Sequence, residues 1–295
     1  MLPDVSSADL ARYLIALWSF ATGAAIGSFL NVVVYRVPEG LSLIHPPSRC
    51  PFCEHPIRWY DNLPVLGWIL LRGRCRDCRR PIAMRYPIVE ALVGAIFLVL
   101  VIFEVFAGGA NLPLRTVRVG GESFAPDWTA LELWRLYGFH LVVLCTLLPA
   151  MLIAWDEKPV PARLFAIALA VGLVAPWFWP RLHPVPALPA IDGWLSGAVD
   201  SLAGAAVGLG LGIISGEGRK PNGLLPSVIC VGAFLGWQAV GVLAVVTMIC
   251  HWGWSAVRRM ADDIPPLPAT LWLSAATLGW LLVWSRLVGW FPWLG

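Results

Sequence analysis

Cys50-Pro51-Phe52-Cys53, followed after twenty-one residues by Cys75-Arg76-Asp77-Cys78, forms a polar, arginine-rich stretch inside an otherwise oily chain. Two Cys-x-x-Cys turns at this separation suit a four-thiolate zinc site. Each turn bends two sulfurs toward one ion, and the residues between let the second pair complete a tetrahedron. The alternatives are two disulfides or four unrelated thiols. A position on the reducing side of a membrane favours the metal, because disulfides are rare there. His45 and His55 flank the first pair, but four cysteines already suffice. Cys145, Cys230 and Cys250 lie in apolar runs and read as small buried residues.

The surroundings of this stretch set the fold class. Of 295 residues, 58% are hydrophobic and 13% charged, with mean hydropathy +0.73. A soluble domain carries about 25% charged residues, so the composition is that of an integral membrane protein, all-α once its apolar runs are read as spanning helices. Apolar runs of spanning length predict helices near 12–35, 86–107, 136–155, 163–179, 195–215, 224–238, 239–254 and 271–291. The region 224–254 reads either as one long helix or as two short ones turning near Gly236-Trp237-Gln238. The seventeen tryptophans fit interfacial belts and helix contacts alike. The first run is too long for the apolar core of a cleavable signal peptide.

Charge orients the chain. The segment 36–85 holds nine arginines, which places it in the cytoplasm. Alternation then puts 108–135 and 180–194 outside, and 156–162 and 216–223 inside. The segment 255–270, with Arg258 and Arg259, falls inside only when 224–254 crosses twice, which gives eight helices. The expected organisation is a first transmembrane helix (1–35), a cytoplasmic four-cysteine domain (36–85) and a helical membrane domain (86–295). The turn-rich segment 108–135 suggests an external loop with a short hairpin at Thr116–Val119. Prolines 176, 180, 184, 186 and 189 make the connection after the fourth helix stiff. No repeat of fixed period is evident. Topology and anionic lipid account for the arginines without nucleic acid.

Specific motifs surround the cysteines. Gly27-Ser28-Phe29-Leu30-Asn31-Val32-Val33-Val34-Tyr35-Arg36-Val37-Pro38 leads into Ser48-Arg49-Cys50-Pro51-Phe52-Cys53. Ile57-Arg58-Trp59-Tyr60-Asp61-Asn62-Leu63-Pro64-Val65-Leu66-Gly67-Trp68 follows, then Arg72-Gly73-Arg74-Cys75, Pro81-Ile82 and Arg85-Tyr86-Pro87-Ile88-Val89-Glu90. These motifs, in this order, resemble the start of the type IV prepilin peptidase family, membrane leader peptidases and N-methyltransferases. Val160-Pro161-Ala162-Arg163-Leu164 and Gly232-Ala233-Phe234-Leu235-Gly236-Trp237-Gln238 continue the likeness more thinly.

The resemblance implies an eight-helix bundle in the bacterial inner membrane. It also implies pilin-like or type II secretion pseudopilin precursors as partners, structural Zn2+, and S-adenosylmethionine wherever methyl transfer is retained. Its peptidase chemistry uses two aspartates at cytoplasmic helix ends, one protonated as acid and one serving as base. At both aspartate positions this sequence departs from the family. Seven residues before Pro161 stands Ala154, and eight residues before Gly232 stands Leu224. Substitute acids are few: Asp156 on the first segment and Glu217 on the loop before the second. The competing reading makes both solvated loop acids, so the family role and the peptidase activity separate. The alternative to a processing enzyme is a catalytically inactive relative that binds pilin-like helices or acts as an assembly partner.

Other residues carry weaker signals. Glu90, an acid at the membrane edge, reads either as functional or as a partner of Arg79, Arg80 or Arg85. Arg36 and Asn31 flank the end of the first helix. Asp200, at the outer end of the fifth helix, sits on the wrong side to cut a cytoplasmic leader. His140 and His251 are expected to be hydrogen-bonded rather than ligands. Gly204-x-x-x-Gly208-x-x-x-Gly212 lets two helix backbones pack closely.

Overall fold

A computed structural model describes residues 6–114, 117–119, 122–124, 127–188, 191, 193–216, 222–260 and 264–290. The chain forms two compact units, 1–102 and 103–295. Among the described residues six helices are long and apolar enough to cross a membrane, and Ala162–Phe178 is a shorter apolar one.

In the first unit, α1 (Ser7–Arg36) packs on α3 (Arg85–Leu100). Small residues receive large ones in both directions: Gly94 lies against the Phe20 ring and Gly23 against the Phe97 ring. Such contacts replace the hydrophobic drive that lipid cannot supply between apolar helices. Between the two helices lies the cysteine insertion, with a short α2 (Leu66–Leu70). α3 continues as a π-helical turn, Val101–Phe106.

The second unit holds α4 (Ala130–Trp155), α5 (Ala166–Phe178), α6 (Gly193–Ile214), α7 (Leu224–Met260) and α8 (Ala269–Trp290). Two three-residue strands, β1 (Val117–Val119) and β2 (Glu122–Phe124), pair antiparallel, so a hairpin does occupy the loop before α4. Several helices start earlier or end later than hydropathy alone predicts. Capping boxes start α1 at Ser6/Asp9 and α4 at Thr129/Glu132. Each first turn carries an acid, Asp9 or Glu132, and the cap rather than an unbroken apolar run sets where the helix begins.

Contacts decide between one helix and two in the region 224–254. The backbone leaves helical geometry at Gly236 (φ 83°, ψ 174°), a conformation glycine tolerates. Gly223, just before α7, lies against Val160 in the loop that leaves α4. Gln238 Nε2, past the break, donates to the Pro186 carbonyl at 3.3 Å. Arg181, in the same loop as Pro186, donates to Glu132 at the start of α4 at 2.8 Å. So 224–235 runs from one end of the bundle to the other. α8 finishes at the Pro186 end: Asn111 Nδ2 donates to the Leu281 carbonyl at 2.7 Å, and Gly109 lies against Trp128 and Leu133. The remainder of α7 must therefore return before α8 begins, and the two-helix reading of 224–254 holds. With α5 counted, the described residues make eight helical passes.

Candidate functional site

The four sequence-predicted cysteines come together. Their sulfurs all lie within 4.8 Å of one another. Cys50 and Cys78 Sγ are 3.7 Å apart, and Cys53 and Cys75 Sγ 3.9 Å. Disulfide sulfurs are separated by about 2.05 Å, so these thiols are free. Four sulfurs about 2.3 Å from one tetrahedral ion would lie about 3.8 Å apart, so the donor set fits a bound metal.

Backbone geometry builds each pair in the same way. Arg49 bridges to Pro56, and Arg74 bridges to Pro81. The Cys50 N–H donates to the His55 carbonyl at 3.0 Å, and the Cys75 N–H to the Arg80 carbonyl at 2.9 Å. Glu54 and Arg79 both close their turns at φ 60°. Arg-Cys-x-x-Cys-x-x-Pro-Ile therefore occurs twice, at 49–57 and 74–82. The expected absence of a fixed-period repeat gives way here to a paired motif, with five identities spread over nine residues.

These turns aim N–H groups at sulfur. Burial pushes the Cys50 thiol up, but the N–H groups of Cys53 and Phe52 and neighbouring thiols outweigh it, bringing it down to about 7. The His55 N–H favours the Cys53 thiolate, but burial and the other cysteines raise it to about 12. Four thiolates this close repel one another without a cation between them. The His55 ring lies 3.2 Å from the Cys53 carbonyl and is no part of the cluster.

Ion pairs and hydrogen bonds brace the insertion. Arg76 Nε donates to Asp61 Oδ2 at 2.7 Å, holding the Asp61 carboxyl below the usual carboxylate range. Arg58 reaches Asp77 at 3.1 Å. Arg36 donates to the carbonyls of Ser42 and Pro46 and so shapes the chain leaving α1. Asn31 Nδ2 donates to the Tyr86 carbonyl at 3.3 Å. Glu90, for which an arginine partner was one expectation, instead accepts the Val65 N–H at 2.6 Å.

The substituted acid positions lie in the second unit. Ala154 is half-buried in the last turn of α4, and Leu224, the first residue of α7, is 1% exposed. Asp156 ends α4 and is exposed. Glu217 lies outside the described residues, so its pairing with Asp156 is not placed. Asp200 is buried and accepts the Ala187 N–H at 2.6 Å. Ala187 follows Pro186 at the end of the bundle opposite Gly223.

One buried pair escaped the sequence reading. Glu104, on the π-helical turn, lies 2.8 Å from His140 Nδ1, and both are fully buried. The expectation that His140 is hydrogen-bonded holds. An acid within an apolar run was the overlooked signal.

Fold and site together define a multi-pass helical membrane protein with a four-cysteine, metal-competent insertion. The family model described as Bacterial Peptidase A24 N-terminal domain matches residues 21–103, close to the extent of the first unit. The Prepilin leader peptidase/N-methyltransferase of Klebsiella pneumoniae is 33% identical over 239 residues, covering 76% of this chain and 88% of that protein. The protein of the same name from Dickeya chrysanthemi is 30% identical over 312 residues, covering 91% and 92%. That of Myxococcus xanthus is 52% identical over 84 residues, 28% of this chain and 25% of that protein. The chain belongs to the prepilin leader peptidase/N-methyltransferase family. No solved structure matches it.

Proposed function

We propose that this chain handles pilin-like precursors, of type IV pili or type II secretion, in the bacterial inner membrane without cleaving their leaders. Acid–base cleavage needs two carboxyls within about one water of the reacting bond. Methyl and isobutyl side chains neither take up nor release a proton. The observation that carries the reading is Leu224: at 1% exposure, hydrocarbon fills the place where the family's second aspartate is expected. Asp156 stands exposed at the end of α4, the setting of an ordinary surface acid.

By this reading the insertion faces the cytoplasm and holds structural Zn2+ between Cys50, Cys53, Cys75 and Cys78. The relatives are named as N-methyltransferases as well as leader peptidases, and the cysteine insertion is the part of the chain that keeps the family's motifs. Methyl transfer from S-adenosylmethionine is therefore the second activity to test.

The experiment is direct. Purified full-length protein in detergent receives a prepilin peptide with an intact leader. Binding without cleavage is expected, and efficient cleavage would overturn the reading. Labelled S-adenosylmethionine with a pre-cleaved peptide then separates two forms of it. Transfer identifies a methylating half-enzyme, and tight binding without transfer identifies an assembly partner.

A further inference from the structure

The short helix α2 has two unlike faces. Gly67 and Trp68 turn inward: a side chain at Gly67 would meet the Asp61 carbonyl, and Trp68 Nε1 donates to the Ile82 carbonyl at 3.1 Å. Leu66, Ile69 and Leu70, at i, i+3 and i+4, turn outward and are 57%, 57% and 71% exposed. Three aliphatic side chains on one surface mark a contact site rather than a solvated face.

The position of α2 identifies what they contact. The Val65 N–H bond to Glu90 fastens its N-terminus to α3, five residues past Arg85. At 1.5 Å per residue this is about 7 Å into a helix that then runs into the bilayer. With Arg85 taken as the level of the headgroups, side chains at that depth meet the boundary between headgroups and acyl chains. Both ends of the insertion join membrane helices, so the face is held at the surface without any association step.

Charge selects the lipid. Arg58 and Arg76 are paired with acids, but Arg49, Arg72, Arg74, Arg79 and Arg80 are exposed and carry no ion pair among the described residues. Arginines next to an inserted apolar face bind anionic headgroups.

We infer that the Leu66–Ile69–Leu70 face of α2 inserts into the leaflet at the ends of α1 and α3 that flank the insertion, and that the unpaired arginines select anionic phospholipid there. The inference is independent of whether leaders are cleaved.

A photo-crosslinking residue, p-benzoylphenylalanine, replaces Ile69 in full-length protein reconstituted into nanodiscs. Irradiation should give an adduct of phospholipid mass, several-fold more abundant in discs containing phosphatidylglycerol than in phosphatidylcholine alone. Replacing Arg72, Arg74, Arg79 and Arg80 together by Gln should remove that preference while leaving the adduct. Crosslinking to polypeptide, or no adduct, would overturn the docking. Equal yields in both lipids would overturn the anionic selection.

Discussion

The Glu90 carboxylate on α3 accepts the N–H of Val65 at 2.6 Å, and Val65 is a β-branched residue held at φ 62°. A left-handed backbone costs an L-residue roughly 1–2 kcal/mol, so it persists only where surroundings enforce it. The enforcing group here is an acid from a membrane helix. Leaving a part-buried N–H without its acceptor costs roughly 1–3 kcal/mol. Glu90→Ala is therefore expected to speed amide exchange at 65–67 by about tenfold or more, with Glu90→Gln intermediate. Val65→Gly should offset part of that loss by about 1 kcal/mol, because glycine adopts this φ freely. Hydrogen exchange read by mass spectrometry checks all three.

Protein purified without chelator should carry about one metal ion per chain, zinc by the donor set. Cys50→Ser or Cys78→Ser should abolish it, whereas Cys145→Ala, Cys230→Ala and Cys250→Ala should leave it intact. Protons compete with the ion for sulfur, so bound metal falls as pH falls and never as it rises through neutrality. Elemental analysis across a pH series is the measurement. Metal-free protein with oxidised sulfurs would refute the site.

The buried Glu104–His140 pair predicts an asymmetry. Removing one partner leaves an unsatisfied polar group in hydrocarbon, at roughly 1–3 kcal/mol. Glu104→Leu or His140→Leu alone should lower the unfolding midpoint markedly. The double variant should be milder than the sum. A double-mutant cycle on thermal unfolding in detergent tests this, and additive losses would show that the pair is not coupled.

Glycines on α6 should differ by position. At Gly204 an added methyl would meet the Gly232 carbonyl, whereas Gly210 has open space. Gly204→Ala should lower the midpoint and the yield of folded protein. Gly210→Ala should be neutral or stabilising by up to about 1 kcal/mol. Parallel melting curves distinguish them.

Features written over a few neighbouring residues were legible in the sequence. The cysteine cluster followed from spacing. The break in α7 fell within the Gly236-Trp237-Gln238 turn expected there, because only glycine sits easily at its backbone angles. Other features were hidden for physical reasons. Glu104 vanished into the mean hydropathy of its run, and its partner lies thirty-six residues away on another helix. The partner of Glu90 is a backbone N–H, which no side-chain pattern announces. Helix starts at Ser7 and Ala130 were missed because caps, not hydrophobicity, fix them. The positions that decide catalysis were readable as substitutions, Ala154 and Leu224, but only burial reveals that Leu224 is packed in rather than facing a cleft.

The twin turns at 49–57 and 74–82 depend on each other. Each hairpin supplies two of the four thiols and is closed by its own backbone bridge, so neither can complete the cluster alone and damage to either one disarms both.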